Sequence, residues 1–215
     1  MTTYSLTLNF DPNVLTNIKR ADQRVAIAKP VNSGGPSVIW LDIDPFPSTT
    51  IEWEEDYWIY ASNDEVVNGA SITKLTEVYP GPALDAGYYV LQDTCVFGSF
   101  TKGNGILPVS PGTYAAINNV PYDDYNSLTF GLAQTALINK KPEERKPISA
   151  QSVLATQHIR MTPFITLFVW LESEFKSQTI ITEIAGNSSS ATFGGGITEV
   201  DLTYDPIHGL FTATS

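Results

Sequence analysis

The clearest alternation of bulky apolar and polar residues lies in residues 38–62, a stretch that also holds three of the four tryptophans of the chain. Alternation with a period of two residues is typical of half-buried strands. Pro45 and Pro47 interrupt the pattern, and proline cannot donate a backbone hydrogen bond to a sheet. We therefore predict two strands, residues 38–44 and 50–60, that form a central hairpin.

The N-terminal residues predict a strand followed by the only sizeable helix. Residues 4–10 alternate between large apolar and small polar side chains, which indicates a strand with one buried face. Asp11 then has the side chain of an N-cap, and Pro12 suits the first position of a helix. The apolar residues that follow share one face of this helix: Val14, Leu15 and Ile18.

Further strands are predicted wherever an apolar pattern is bounded by turn residues. They cover residues 24–29, 70–78, 88–97, 105–109, 114–118, 127–135, 148–155, 164–171, 179–184, 198–204 and 210–214. Asn104 and Gly105 favour a hairpin between residues 88–97 and 105–109. Residues 164–171 are apolar on both faces, so we expect a central strand that is covered on each side and paired with residues 179–184.

One segment stands out by its charge. Residues 139–147, with the sequence NKKPEERKP, combine six charged side chains with two prolines. Charged, proline-bearing segments are typical of surface connections. We expect an exposed, mobile loop here.

These patterns predict an all-β fold. About a dozen strand candidates without a repeat period fit a single-domain antiparallel β-sandwich over residues 1–215, with one short N-terminal helix. We expect a core that is rich in aromatic side chains: Trp40, Trp53, Phe168 and Trp170. Edge strands of such a sandwich can pair, so a homodimer is conceivable.

Charge and the N-terminal residues limit the classes of partner. Twelve Lys and Arg against 23 Asp and Glu give a net charge of -11, which repels phosphate backbones and argues against nucleic-acid binding. The first residues lack a basic region, and nowhere do about 18 apolar residues follow one another. We expect a cytoplasmic or otherwise soluble protein with no classical signal peptide and no transmembrane segment.

Few residues suit catalysis or metal binding. The chain has two histidines, His158 and His208, and no Gly-x-Ser-x-Gly motif. The single cysteine, Cys95, excludes an internal disulfide, and its apolar surroundings predict a strand in the core. Acidic pairs of the kind found in solvated turns occur at Asp42 and Asp44 and at Asp123 and Asp124. We predict no catalytic residue and no metal site.

A carboxylate interrupts the apolar face of the second tryptophan-bearing strand. Glu55 alternates with four apolar or aromatic residues, Ile51, Trp53, Tyr57 and Ile59. Burial of an unpaired carboxylate is costly, so Glu55 has to be paired, hydrogen-bonded or protonated. Two interpretations stay open: a structural glutamate capped by arginine or by backbone N–H groups, and an acid that faces a ligand.

The opposite face of this strand mixes acids with aromatics. It carries Glu52, Glu54, Asp56, Trp58 and Tyr60. Exposed Trp and Tyr rings can stack on a sugar or on another planar ligand. Alternatively, the turn-rich residues 79–87 cover these rings.

Three segments resemble the RhiA-like, rhizosphere-expressed proteins and their bacterial and fungal relatives, a family of acidic β-rich proteins. They are YSLTLNF at the start, IWLDIDPFPSTTIEWEEDYWIYAS, and residues 161–211 with TPFITLFVWLESEFKSQTIITEI, VDLTYDP and HGLF. Residues 139–147 look like an insertion relative to this pattern. The resemblance implies a β-sandwich, and it carries no established catalytic residues.

A second resemblance rests on mass and acidity. The chain is similar in both to the small pink chromoproteins of oyster mushrooms. That similarity implies a bound aromatic chromophore as a candidate cofactor.

The leading hypothesis is a non-catalytic protein that binds a small planar or aromatic ligand, such as a pigment, between sheets or under a loop. Its walls would be Trp53, Trp58, Tyr60, Phe168 and Trp170, with Glu55 or His158 orienting the ligand. The competing hypothesis is a lectin-like carbohydrate-binding or defence protein that acts at cell surfaces, with Trp58, Tyr60, Tyr122 and Tyr125 as a stacking platform. A third hypothesis is a storage or structural protein with no small-molecule site.

Overall fold

The fold is all-β, as the sequence predicts. A computed structural model describes residues 2–105, 107–184 and 186–214, and within them it has sixteen strands and one helix. In chain order the elements are β1 (Thr3–Asn9), α1 (Pro12–Arg20), β2 (Arg24–Ala28), β3 (Leu41–Ile43), β4 (Ser48–Ser62), β5 (Thr76–Glu77), β6 (Gly87–Leu91), β7 (Thr101–Lys102), β8 (Tyr114–Asn118), β9 (Ser127–Ile138), β10 (Lys141–Pro147), β11 (Gln151–Leu154), β12 (His158–Met161), β13 (Thr166–Glu172), β14 (Ser189–Thr192), β15 (Glu199–Asp205) and β16 (Leu210–Ala213).

The strands form three sheets. The first has the order β10-β9-β4-β1-β15-β16, with β11 paired to β9 and β5 paired to β4; the second is β14-β13-β2-β3; the third is β12-β8-β6-β7. Two pairs are parallel, β1 with β15 and β6 with β8, so the sheets are mixed and not purely antiparallel as predicted. Among the described residues, no helix has the length and apolar character needed to cross a membrane.

The predicted strand and helix at the start of the chain are confirmed. The Asp11 side chain accepts a hydrogen bond from the Asn13 N–H at 2.8 Å, and Pro12 is the first residue of α1. Leu15 and Ile18 bury one face of the helix. The local signals at this point of the sequence are therefore sufficient to define the element.

The predicted central hairpin of residues 38–44 and 50–60 is wrong. Both strands exist, but β3 pairs with β2 in the second sheet, whereas β4 lies between β1 and β9 in the first. Because Pro45 and Pro47 end one strand before the next begins, the chain leaves one sheet and enters the other at this bend.

The charged segment is an edge strand, so the prediction of a mobile loop is wrong. β10 pairs with β9 in antiparallel fashion, and the connecting residues Asn139 and Lys140 have φ values of 49° and 70°. Positive φ at both turn residues gives a tight hairpin whose twist matches that of the strands. Prolines and charges are tolerated because this strand has a neighbour on one side only.

Three further strand predictions fail. Residues 70–78 provide only β5, and residues 105 and 107–109 form no strand; Ile106 lies outside the described residues. The Leu107 N–H donates instead to Asn104 Oδ1 at 3.1 Å in a local turn. Residues 179–184 do not pair with β13, whose neighbours are β2 and β14.

Cys95 also differs from its prediction. It lies in a turn with φ 57°, and its N–H donates to the Gln92 carbonyl at 2.9 Å. Its side chain is half-buried against the main core. The apolar neighbours in the sequence are explained by this packing and not by a strand.

Among the described residues, the buried apolar side chains form three clusters. The main core draws apolar residues from all three sheets and includes Trp40 and Trp53. A second cluster covers the outer face of the far ends of β4 and β9 with Val38, Tyr60, Ile72, Ala133, Ala150 and Ile180. A third lies on the outer face of the second sheet around Trp170, with Phe168 partly buried beside it. β13 is thus covered on both faces, as predicted.

We predict that Gly131→Ala strongly destabilises the fold. A Cβ atom at Gly131 would lie 1.8 Å from the Ser149 carbonyl oxygen and 2.6 Å from the Tyr60 ring, so backbone and core would both have to shift. We expect a loss of about 3 kcal/mol in the free energy of unfolding, measured by urea denaturation. Gly34→Ala is the control, because a Cβ there meets no atom within 4 Å. Equal stability of the two variants would contradict this packing.

Candidate ligand-binding site

A bulge in β4 organises the candidate site. β4 advances from Trp53 to Tyr57 while its partner β9 advances only from Ala136 to Gln134. The residues between Trp53 and Tyr57 are three consecutive acids, Glu54, Glu55 and Asp56. Bulges re-aim side chains, and here adjacent carboxylates turn towards different sides of the sheet.

Glu55 points inwards and is held by three donors. Its Oε1 accepts hydrogen bonds from Lys29 Nζ and from Trp53 Nε1, both at 3.0 Å, and its Oε2 accepts one from the Tyr57 hydroxyl. Its side chain is 30% exposed. Glu55 is therefore paired, but with a lysine and two aromatic donors instead of the predicted arginine or backbone N–H groups.

Lys29 is the functional residue that sequence reasoning missed. Its side chain is fully buried, and its Nζ donates to Glu55 Oε1 at 3.0 Å, to the Tyr57 hydroxyl at 2.9 Å and to Gln134 Oε1 at 2.9 Å. An ammonium group has three N–H donors, so all of them are used. A signal was available in the sequence, because Lys29 continues the inward alternation of Val25 and Ile27.

Aromatic rings surround the ammonium group. The Lys29 Nζ lies 5.1 Å from the ring centroid of Tyr57 and 5.8 Å from those of Trp40 and Trp53. The faces of such rings attract cations. The core thus stabilises a buried positive charge by hydrogen bonds and by the surrounding rings together.

Burial shifts the ionisation of this network. It lowers the pKa of Lys29 to about 8, although the Glu55 charge opposes the shift. Burial also raises the pKa of Tyr57 well above its usual range, with the Glu55 charge acting in the same direction. At neutral pH the network therefore holds an ammonium group, a carboxylate and a neutral phenol that donates to it.

Gln134 links this network to the backbone of the bulge. Its side-chain Nε2 donates to the Glu54 main-chain carbonyl at 2.6 Å, and its main-chain carbonyl accepts a hydrogen bond from Trp40 Nε1 at 3.1 Å. Lys29 therefore fixes the bulge in two ways, through the Glu55 side chain and through Gln134.

A groove lies on the outer face of the first sheet, next to the bulge. It has a volume of about 380 Å³ and is lined by Thr3, Glu52, Trp53, Glu54, Asp56, Trp58, Thr135, Ala136 and Leu137. Pockets of about 300–1,000 Å³ accommodate small organic ligands. Of the predicted wall residues, Trp53 and Trp58 both border the groove, but the Trp53 ring is buried in the main core, so the ring that a ligand could contact is that of Trp58.

Trp58 separates this groove from a second hollow. The second hollow, of about 400 Å³, shares Trp58 and Thr135 with the groove and is otherwise lined by Tyr79, Pro80, Gly81, Pro142, Glu144 and Arg145. A Cβ at Gly81 would lie 1.9 Å from Trp58 Nε1, so the loop packs directly against the edge of the indole. Residues 79–87 therefore cover one edge of Trp58, as one of its two interpretations predicts, and the rest of the ring lines the groove.

The remaining predicted site residues lie elsewhere. Tyr60 is fully buried in the second cluster, and its hydroxyl donates to the Ser149 carbonyl at 2.7 Å. Trp170 and Phe168 pack in the third cluster on the other sheet. His158 is exposed on β12 in the third sheet. Tyr60 shares the second cluster with Trp58 but has no surface in the groove, whereas Phe168, Trp170 and His158 lie on other sheets.

The proposed carbohydrate platform is not assembled either. Tyr122 is 62% exposed, but Tyr125 is half-buried against the main core, and Tyr60 has no exposed surface. The acidic pair Asp42 and Asp44 is held by one cation, since Arg24 forms ion pairs with both. Within the described residues, no group of three or more His, Cys, Asp or Glu is placed to hold a metal ion.

Comparisons of the chain with protein-family models, with curated proteins and with solved structures found no match.

We predict that Lys29→Met lowers the free energy of unfolding by about 3–5 kcal/mol, because it leaves Glu55 and Gln134 without their buried partner. Urea denaturation at pH 7 measures the change. Lys102→Met is the matched control, since Lys102 is exposed on β7, and its substitution should change stability by less than about 0.5 kcal/mol. A loss of similar size in both variants would refute the role of the buried network.

The lowered pKa of Lys29 predicts a pH dependence. Between pH 8 and 10.5 the amine is neutral in the folded protein and protonated in the unfolded chain, so unfolding takes up a proton. The contribution of Lys29 to the free energy of unfolding therefore becomes more favourable as the pH rises. We expect the free-energy difference between wild type and Lys29→Met to grow by about 2 kcal/mol from pH 7 to pH 9.5. A difference that stays constant or shrinks would contradict the lowered pKa.

Proposed function

We propose that this protein is a non-catalytic binding protein that holds a small planar ligand against Trp58, in the groove on the outer face of the first sheet. The observation that carries the proposal is the half-buried indole of Trp58, which lines a concave surface of about 380 Å³ beside Ala136 and Leu137. The ring of an aromatic ligand can stack on an indole, and the groove is large enough for two or three fused rings.

Preorganisation of the groove supports the proposal. Trp53 is 3% exposed and is packed by its neighbours in the main core, with the Phe193 ring centroid 4.9 Å away. Trp58 is held at one edge by Gly81. The Trp58 indole and the core beneath the groove therefore do not have to be ordered when a ligand binds, which reduces the entropic cost of association.

The residues proposed to orient the ligand differ from those that the sequence suggests, Glu55 and His158. Glu55 is occupied by Lys29, Trp53 and Tyr57, and His158 lies in the third sheet. In the proposed site the polar groups available to a ligand are the outward carboxylates Glu52, Glu54 and Asp56.

Kinship with the RhiA-like proteins and retention of a pigment remain parts of this proposal. A chromophore that fills the groove would absorb beyond the tryptophan band and would travel with the protein in gel filtration.

The homodimer also stays a prediction. Strand β16 is the more suitable edge of the first sheet for it, because the other edge strand, β10, carries Pro142 and Pro147.

The proposal predicts that Trp58→Leu weakens ligand binding without unfolding the protein. Leucine keeps an apolar contact with the second cluster but removes the stacking surface. We expect quinoline or N-methylquinolinium to bind with one-to-one stoichiometry in isothermal titration calorimetry, and the affinity to fall by about tenfold or more in the variant.

Tyr122→Ser provides the control, because it removes an exposed ring that does not line the groove. Its affinity for the probes should equal that of wild type. Failure of both probes to bind the wild-type protein, or equal binding by Trp58→Leu, would overturn the proposed function. Urea denaturation of each variant shows that the comparison is made between folded proteins.

A further inference from the structure

We infer that the groove selects a planar organic cation, a ring system that bears a positive charge, over a neutral ring of the same size. This inference rests on the proposed function, since it specifies the chemical class of ligand that stacks on Trp58.

The polar lining of the groove is anionic. Glu52, Glu54 and Asp56 contribute carboxylates, and none of the nine lining residues carries a positive charge. Thr3 Oγ1 donates to Glu54 Oε1 at 3.4 Å, a weak contact that leaves the charge in place. Among the described residues, Glu52 and Glu54 form no ion pair.

Two cations of neighbouring elements are engaged with other groups. Lys29 lies inside the sheet and donates all three of its N–H groups there. Arg145, which lines the second hollow beyond Trp58, is bound to Glu77. Neither cation is available to neutralise the carboxylates of the groove.

The bulge brings like charges together. Burial raises the pKa of Asp56, the charges of Glu54 and Glu55 raise it further, and the positive charge of the N-terminal amino group opposes the shift. A cation bound between these carboxylates would relieve their repulsion. The fixed position of the bulge, anchored by Glu55 and Gln134, keeps the acids beside the groove when no ligand is present.

Trp58 favours the same class of ligand. The face of an indole attracts a cation, and this attraction increases when the cation is partly removed from water. The charge and the stacking surface therefore lie next to each other in one concave site. The alternative is that these acids contribute only to the net charge of -11 and so to solubility. A variant that neutralises acids outside the groove distinguishes the two.

A pair of probes of equal size tests the charge selection. N-methylquinolinium is a permanent cation, and quinoline is neutral at pH 7.5. We expect isothermal titration calorimetry at fixed ionic strength to show about tenfold tighter binding of N-methylquinolinium. The double variant Glu52→Gln/Glu54→Gln should weaken binding of the cation by about fivefold and leave the affinity for quinoline unchanged.

The matched control neutralises two acids elsewhere on the same sheet. Glu199 and Asp201 are exposed on β15 and do not line the groove. Glu199→Gln/Asp201→Asn changes the net charge by the same amount and should alter the affinity for either probe by less than about twofold.

The outcomes separate the two proposals. Equal affinities for the two probes, both lost in Trp58→Leu, would leave the proposed function standing and overturn the charge selection. A control variant that weakens binding of the cation as much as the groove variant does would also overturn it, because the effect would then be one of net charge. Absence of binding by both probes would overturn the proposed function together with this inference.

Discussion

The burial of one positive charge is the constraint on which much of this structure depends. Lys29 follows β2 of the second sheet, and its three acceptors all belong to β4 and β9 of the first sheet. Removal of an ammonium group from water is costly, and only complete hydrogen bonding with a nearby carboxylate offsets that cost. The relative position of the two sheets is therefore specified by a polar interaction of definite geometry and not by apolar packing alone.

The same interaction shapes the surface. The register of β4 against β9 shifts between Trp53 and Tyr57, within the segment that carries Glu55 to Lys29. The neighbours of Glu55 in the chain are then turned outwards, where Glu54 and Asp56 line the groove. Core and groove are thus two sides of one irregularity in a strand. Natural sequences depart from regular local patterns most often where a site is being built.

Local features could be predicted from the sequence, whereas the pairing of strands into sheets could not. The N-cap at Asp11 and the alternation in β1 depend on neighbouring residues, and both were predicted correctly. The partner of β3 depends on residues far along the chain, so adjacency suggested a hairpin that does not exist. The composition of residues 139–147 predicts a loop where the structure has strand β10, because charged residues and prolines suit an edge strand as well as a loop. The burial of Lys29 could not be predicted with the same ease, because a lysine at the end of a strand usually reaches solvent.

The parallel pair of β1 and β15 has a consequence for biosynthesis. Ser5 and Glu199 are register partners, so one edge of β1 is completed by residues that are synthesised long after it. Until then that edge offers unpaired N–H and C=O groups to any neighbouring nascent chain. Contacts between residues so distant in the sequence form slowly, so this edge stays open to unwanted pairing until β15 has been synthesised and docked.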